Sequence, residues 1–263
     1  MSNTVSKIEP NVAIDTIVSW IRDYFEPFKD KKAVIGISGG KDSTVCAMLL
    51  VKALGKDRVV AVKMPKGQQP DIDDSELVCK CLGVQNYTVN IKDAVDGMIK
   101  GLTDAGVEPT KDTLTNIDPR VRMATLYAVA QSLPCGGLVT NTCNLSENYV
   151  GYSTKFGDHA GDFSILHAFA VREVIEMGLI LCKEYGIPET LIKKAPSDGL
   201  CGKTDEDNLG FTYAQLDAYI LDGQVPEEEI LSKIERKYRS NLHKLKEMPY
   251  PYPERAKAAV FNS

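Results

Sequence analysis

The chain has 263 residues, of which 43% are hydrophobic and 25% charged, close to the average for globular proteins and enough for one large α/β domain. Its formal net charge of -5 excludes an overall attraction to nucleic acid or an anionic membrane, so any anionic ligand must be bound by local groups. It has no apolar run long enough to span a membrane and no signal-peptide pattern in its first ten residues, and its seven cysteines are an odd number typical of reduced thiols, so we expect a cytoplasmic protein.

The first half of the sequence alternates helical and strand patterns. Apolar residues at helical spacing predict a helix over 12–25, and the continuous apolar run 33–37 predicts a strand buried on both faces. The same alternation continues with strands over 59–64, 87–91 and 138–141, helices over 44–54, 73–82 and 118–132, a helix starting near 93, and a polar loop over 103–115.

The second half is richer in helical patterns. Helices are expected over 171–185, 213–221 and 226–246, and the polar segment 197–208 between them is typical of a mobile lid. Strands that alternate with helices predict an α/β fold, a doubly wound parallel sheet with helices on both faces, in one domain covering 1–263. Ligands of such sheets bind beyond the carboxyl ends of the strands.

The segment Ser38-Gly39-Gly40-Lys41-Asp42-Ser43 follows the first buried strand and opens a helix. Its glycines permit a tight turn, and the free N–H groups of the helix start favour a phosphate. The Walker A and G-x-G-x-x-G patterns do not fit, since Asp42 occupies the Ser/Thr position of the former. A carboxylate beside a phosphate requires a cation, which predicts Mg²⁺. A glycine-rich turn without any ligand is the alternative.

This segment resembles the pyrophosphate loop of the N-type ATP pyrophosphatases, which have an adenine nucleotide alpha hydrolase-like fold. Further segments resemble the NAD synthetase family specifically: Met64 to Asp71, Asn116 to Met123, Thr140 to Glu147, Gly151 to Asp162, and His243-Lys244. The resemblance implies Mg²⁺ held by Asp42 and Glu147. The residues that it implies as ATP contacts are Ile37, Ser38, Gly39, Gly40, Lys41, Asp42, Ser43, Lys63, Gln69, Thr142, Arg172 and Ser197.

The family's second substrate is deamido-NAD, and the implied contacts with it are Tyr24, Phe25, Arg120, Lys155, Phe156, Asp158, Asp162, His243 and Lys244. The family forms two-fold dimers with this substrate across the interface, so Tyr24 and Phe25 are expected near a partner subunit. One departure is Val171, which stands where the family commonly has a lysine that reaches the triphosphate; the neighbouring Arg172 is the candidate replacement.

The resemblance implies an ammonia-dependent ligase of the last step of NAD biosynthesis. Deamido-NAD would be activated by ATP as an acyl-adenylate and then amidated, with release of AMP and pyrophosphate. Asp42, Glu147 and Asp158 are the expected catalytic residues. The alternatives are a tRNA-modifying enzyme of the same superfamily and a non-catalytic nucleotide sensor, and a separate subunit could supply the ammonia. The acidic charge disfavours the tRNA enzyme, which needs a basic surface.

Overall fold

The strands of the described residues form one five-stranded parallel sheet in the order β3-β2-β1-β4-β5. The structure is a computed structural model that describes residues 8–67, 72–194 and 204–246. The strands are β1 Lys32–Gly36, β2 Val59–Lys63, β3 Gln85–Thr88, β4 Gly137–Asn141 and β5 Phe163–Ser164. The chain runs outward from β1 to β3 and then returns to place β4 on the other side of β1, which confirms the doubly wound sheet.

Helices connect the strands, and after β5 the described residues form helices but no further strand. In chain order they are α1 Pro10–Phe25, α2 Lys41–Leu54, α3 Ile72–Leu82, α4 Lys92–Asp104, α5 Lys111–Ser132, α6 Leu145–Val150, α7 Val171–Tyr185, α8 Thr190–Lys193, α9 Asp205–Leu209, α10 Tyr213–Asp222 and α11 Glu228–Leu245. In the described part of the chain, no helix combines the length and apolar character that crossing a bilayer requires.

The continuous apolar run of β1 is explained by burial on both faces. Ala33 and Ile35 face one core, built with α1, α2, α3 and α7. Val34 faces the other, where it packs with β2, β4 and α5. Successive side chains of a strand point to opposite faces, so both sets must be apolar when helices cover both sides. Ala33, Val34 and Ile35 are fully buried.

Several predicted boundaries are wrong, and each has a local cause. Helix α2 begins at Lys41 instead of 44, because the end of the phosphate loop is its first turn. Helix α5 begins at Lys111 with Thr110 as its cap, so part of the predicted loop 103–115 is helical and Pro119 lies inside the helix. Strand β3 covers Gln85–Thr88 instead of 87–91.

Four short elements of the described chain were not predicted: β5, α6, α8 and α9. Strand β5 has only two residues, too few for a sequence pattern, and it forms by pairing with β4. Helix α9 lies within the segment predicted as a lid; Thr204 caps it by accepting from the Asp207 N–H, while the Asp207 carboxylate accepts from the Thr204 N–H. This reciprocal capping box fixes the first turn of the helix.

Candidate active site

The candidate site lies where the order of the strands reverses, between β1 and β4. The loop after β1 and the loop after β4 leave neighbouring strands at the same edge of the sheet, because both strands are parallel. Such a switch point creates a crevice beyond the carboxyl ends of the strands. The predicted phosphate loop, 38–43, and the predicted metal ligand Glu147 come from these two connections and meet there.

The phosphate loop has a backbone that only glycine adopts readily. Gly39 has a φ of +81°, and a Cβ at this position would lie 2.7 Å from the Cβ of Asp74. Ser38 Oγ lies 3.1 Å from Ser43 Oγ and accepts from the Gly40 N–H at 3.2 Å. The loop is therefore fixed before any ligand binds. The first N–H groups of α2 have no acceptor within the helix and point out of its start, toward the crevice.

Asn144 links the two predicted metal carboxylates. Its side-chain Nδ2 donates to Asp42 Oδ1 at 3.0 Å, and its Oδ1 accepts from the Glu147 N–H at 3.0 Å. The Asn144 N–H in turn donates to Glu147 Oε2 at 3.1 Å, which completes a capping box at the start of α6. Asn144 is fully buried. The sequence analysis did not single out this residue, although an Asn three positions before a Glu is a readable capping signature.

The two carboxylates repel one another. Burial and the charge of Asp42 raise the pKa of Glu147 to about 8, while the Lys41 ammonium and the Asn144 N–H act in the opposite direction. Lys41 Nζ donates to Asp42 Oδ2 at 2.8 Å, and the Lys41 side chain is almost completely buried. One ammonium therefore serves two carboxylates, which leaves the site short of positive charge and suited to a cation.

Two further residues approach Lys41 from the helix-rich half, and the sequence analysis missed both. The ring of Tyr213, at the start of α10, lies with its centroid 5.6 Å from Lys41 Nζ. Asp205, the first residue of α9, is buried. Burial of Lys41 lowers its pKa, but the negative charges of Asp42, Glu147 and Asp205 outweigh this effect, so that the Lys41 pKa is raised. Tyr152 Oη donates to Asp205 Oδ1 at 3.4 Å.

The remaining predicted ATP contacts lie in different parts of the structure. Lys63 ends β2, next to β1, and its buried side chain donates to Glu76 at 3.4 Å. Thr142 is half-buried in the loop after β4. Arg172 makes two hydrogen bonds to Asp222, at 2.5 and 2.6 Å, so its charge is engaged by the end of α10. Gln69 and Ser197 lie outside the described residues.

A second group of predicted residues lies in the loop between α6 and β5. Phe156 is 56% exposed and is the one non-glycine residue of the described chain with a positive φ, at 59°. Gly157 follows it, where a Cβ would lie 2.9 Å from the Thr154 side chain. Asp158 accepts from the Thr154 N–H at 2.8 Å. The loop therefore presents an aromatic ring and a carboxylate to solvent in a fixed and strained backbone, which is typical of a ligand-binding segment.

Positively charged residues surround this loop. Lys155 Nζ lies 5.3 Å from the Phe156 ring centroid and donates to the His243 carbonyl at 2.8 Å. Lys244 Nζ donates to the carbonyls of Gly151 and Ser153, at 2.9 Å each. Arg120 Nε donates to the Lys155 carbonyl at 3.4 Å. The structure thus brings together six of the predicted deamido-NAD contacts: Arg120, Lys155, Phe156, Asp158, His243 and Lys244.

Tyr24, Phe25 and Asp162 form a separate group in which each side chain already has partners. Phe25 is 1% exposed and packs edge-on against Phe163 with centroids 5.3 Å apart, so only Tyr24 of the predicted pair reaches the surface. Tyr24 Oη donates to the Asp162 carbonyl at 3.1 Å. The Asp162 carboxylate accepts from the Val139 N–H at 2.7 Å, so it holds the edge of β4.

Within the described residues, no three His, Cys, Asp or Glu side chains form a cluster that could hold a metal by themselves. The donor set at the switch point is the pair Asp42 and Glu147. Mg²⁺ binds through one or two protein carboxylates, and substrate phosphates and water complete its octahedron. The pair and the adjacent phosphate loop therefore fit Mg²⁺ that enters together with a nucleotide.

Comparison with known proteins identifies the family of the chain. Residues 13–249 match the model of the family described as NAD synthase. The NH3-dependent NAD+ synthetase of Thermococcus kodakarensis is 38% identical over 231 residues, which cover 86% of this chain and 87% of that protein.

Two solved structures resemble the chain over nearly its whole length. The NMN synthetase of Francisella tularensis superposes with a TM-score of 0.84 at 32% identity, covering 93% of this chain and 99% of that one. The NH3-dependent NAD synthetase of Campylobacter jejuni has a TM-score of 0.72 at 25% identity, covering 94% and 100%. From the family match and these relatives, the chain belongs to the NAD synthase family.

Proposed function

We propose that the protein is a ligase that amidates the pyridine carboxylate of deamido-NAD with ammonia and ATP, the last step of NAD biosynthesis. The observation that carries the proposal is the meeting of the phosphate loop with Asp42 and Glu147 at the switch point of a sheet that belongs to this family. The carboxylate attacks the α-phosphorus of ATP and pyrophosphate leaves. Ammonia then attacks the acyl-adenylate, and AMP leaves.

The phosphate loop and its neighbours would bind ATP. Backbone N–H groups at the start of α2 face the phosphates, and the buried ammonium of Lys41 neutralises part of their charge. Lys63 and Thr142, at the ends of β2 and β4, lie on the same edge of the sheet. We assign Arg172 no contact with ATP, because Asp222 already binds its guanidinium with both oxygens.

Asp42 and Glu147 would hold Mg²⁺. The capping box uses Glu147 Oε2, which leaves Oε1 for a cation, and Asn144 sets the direction of Asp42. Bound Mg²⁺ neutralises charge on the triphosphate and the departing pyrophosphate. The chain itself contributes alignment: Asn144 and Lys41 fix the two carboxylates, and the rigid loop fixes the phosphates in line with the attacking group.

The loop around Phe156 would bind the acceptor. Its exposed ring can stack on the pyridine, while Lys155, Lys244 and Arg120 lie close enough to bind the acceptor phosphates. Asp158 is held by the Thr154 N–H at the exposed side of the same loop, and we propose that it receives a proton from ammonium.

A mononucleotide acceptor is the second candidate. The Francisella tularensis structure with a TM-score of 0.84 is named an NMN synthetase, and the acid that corresponds to NMN is nicotinic acid mononucleotide. Phe25 is buried, and Tyr24 already donates to Asp162 within the same chain. These residues were expected to bind deamido-NAD near a partner subunit, so their internal partners favour a shorter acceptor.

A single assay tests both candidates and the two alternatives from the sequence. Purified protein is incubated with Mg²⁺, ATP, ammonium and either acid, and amide, AMP and pyrophosphate are measured together. Equal amounts of all three products identify the ligase. A tenfold higher kcat/KM for deamido-NAD supports the dinucleotide acceptor, and the reverse supports the mononucleotide. ATP binding without AMP formation would instead identify a nucleotide sensor.

We further propose that residues 1–263 fold as one domain, that the protein forms a two-fold dimer, and that it acts in the cytoplasm. Support for one domain comes from the continuous match over residues 13–249 to one family model. Support for a dimer comes from the family resemblance and from Trp20, which is 44% exposed on α1. The six described cysteines are free thiols, as expected in a reducing compartment.

A further inference from the structure

Tyr213 lies beside the phosphate loop with a hydroxyl that has no partner. The residue is 3% exposed, and its Oη makes no hydrogen bond to any described residue. Burying a phenol without a hydrogen bond is unfavourable, and the hydroxyls of buried tyrosines usually find a partner. An unsatisfied hydroxyl inside a site indicates that the missing partner is a ligand.

The surroundings of Tyr213 show what kind of ligand this is. Its ring covers Lys41 Nζ at 5.6 Å. Burial and the nearby charges of Glu147, Asp205 and Asp42 raise the pKa of the Tyr213 phenol, so it stays protonated at neutral pH. The hydroxyl therefore keeps a proton to donate, and it lies near the acidic groups and the Lys41 ammonium that surround the phosphate loop. A phosphate oxygen is the acceptor that fits this place.

The position of Tyr213 is fixed by hydrogen bonds that join its helix, α10, to neighbouring elements. Its N–H donates to Glu206 Oε1 at 2.8 Å, and Thr212 caps α10 in front of it. One turn later, the buried Asp217 accepts from Ser146 Oγ at 2.5 Å and from the Arg172 N–H at 2.9 Å. Residues four apart share a helix face, so the bonds of Asp217 to the starts of α6 and α7 hold Tyr213 over Lys41.

We propose that Tyr213 is an ATP-contacting residue, whose ring positions Lys41 and whose hydroxyl donates to a phosphate oxygen of ATP. This inference rests on the proposed function, because it requires ATP in the phosphate loop. It assigns the helix-rich half a direct part in nucleotide binding, so that α10 completes the phosphate site that the sheet begins.

The test compares Tyr213→Phe with wild type by calorimetric titration of Mg-ATP without acceptor, and by acceptor KM at saturating ATP. A hydrogen bond to a charged group predicts about tenfold weaker ATP binding in Tyr213→Phe, with the acceptor KM unchanged. The ligand-free melting temperature should not fall, since the variant removes an unsatisfied buried hydroxyl, while the rise in melting temperature with Mg-ATP should shrink. Tyr213→Leu, which also removes the ring from Lys41, should bind ATP more weakly still.

Tyr219→Phe is the matched control, because Tyr219 lies on the same helix and faces Tyr149 instead; it should bind ATP as wild type does. Wild-type ATP affinity in Tyr213→Phe would overturn the inference. So would a lower ligand-free melting temperature with equal weakening of both substrates, which would mark a purely structural role. If wild-type protein itself fails to bind Mg-ATP, the ATP-dependent function is wrong and this inference falls with it.

Discussion

At the scale of single residues, the chemistry of the site depends on two carboxylates held closer than their charges favour. Asp42 has Lys41 and Asn144 as partners, and Glu147 is fixed by the capping box of α6. The protein stabilises each carboxylate's position without neutralising the pair completely. A cation that arrived with a nucleotide would relieve this repulsion, and the proposed metal binding would then be coupled to ATP binding.

Removing either carboxylate should abolish most of the turnover. Asp42→Asn and Glu147→Gln keep the shape of each side chain but remove its charge, so we expect about a 100-fold lower kcat, equivalent to about 2.7 kcal/mol of barrier. The rate is measured over a range of Mg²⁺ concentrations, with circular dichroism as the control for folding. A variant with near wild-type rate at limiting Mg²⁺ would refute the metal assignment.

Glu147 should also make the metal-free protein less stable as the pH rises. Its native pKa of about 8 exceeds the unfolded value of about 4.3, so between these values the native state keeps a proton that the unfolded state has lost. The free energy of unfolding therefore falls as pH rises through this window. The measurement is the melting temperature in EDTA between pH 5 and 8, which should fall by on the order of a few degrees as the pH rises. Glu147→Gln, which keeps the capping box, should show a flatter profile; an identical slope would contradict the prediction.

At the scale of elements, the short helix α6 is both a structural and a functional unit. Asn144 caps the helix and also donates to Asp42, so the start of α6 and the start of α2 are joined through one side chain. The capping signature explains why the helix begins there. The contact with α2 gives the same residue its influence on the proposed metal site.

Two substitutions at Asn144 separate these roles. Asn144→Ala removes the cap and should cost about 1 kcal/mol of stability as well as activity. Asn144→Ser can still cap the helix but lacks the amide that reaches Asp42. We expect it to keep most of the stability and to need a higher Mg²⁺ concentration for half-maximal rate, measured by denaturant titration and Mg²⁺ titration. Equal Mg²⁺ requirements in Asn144→Ser and wild type would argue against the bridging role.

The Arg172–Asp222 pair joins the start of α7 to the end of α10. Both side chains are about one third exposed, so water screens the ion pair and it contributes little to stability. Because Asp222 engages the guanidinium, Arg172→Ala should change ATP affinity less than threefold. Asp222→Ala is the matched control, and calorimetry with Mg-ATP is the measurement. A tenfold loss in Arg172→Ala alone would restore Arg172 as the substitute for the family lysine missing at Val171.

At the scale of the whole molecule, the sheet supplies the phosphate loop and the helix-rich half closes over it. Tyr213 and Asp205 approach Lys41 from α10 and α9, while Lys244 of α11 donates to carbonyls of the loop between α6 and β5. Under the proposed function, both substrates would lie between the sheet edge and the C-terminal helices. Substrate binding should stabilise these helices against unfolding, because the substrates would contact both the sheet edge and the helices.

The proposed dimer gives a prediction at this scale. Trp20 is 44% exposed and stacks on Tyr24 with centroids 5.2 Å apart, which presents apolar surface at the end of α1. Trp20→Ser should raise the dimer dissociation constant about tenfold, as measured by sedimentation, since burying an aromatic ring contributes at least that much. Met98→Ser, which removes an equally exposed apolar side chain from α4, is the control. A fully active monomer at micromolar concentration would rule out the arrangement.

The alternation of strands and helices, the doubly wound sheet and the position of the phosphate loop could all be predicted from the sequence. These features have local causes: an apolar run buried on both faces, glycines at a tight turn, and a helix start beside them. The boundaries of α5 and β3 were wrong because capping at Thr110 and pairing with β2 decide them. A two-residue strand such as β5 exists only through its neighbour.

Which side chains share the site depends instead on how the elements pack. Tyr213 and Asp205 lie far from Lys41 in sequence, and their approach depends on how α9 and α10 pack, which no local pattern encodes. The same holds for residues that were expected to bind substrate but have partners within the chain: Phe25 packs in the core, and Arg172 pairs with Asp222. A sequence pattern shows which groups are present, whereas packing determines which of them remain available to a ligand.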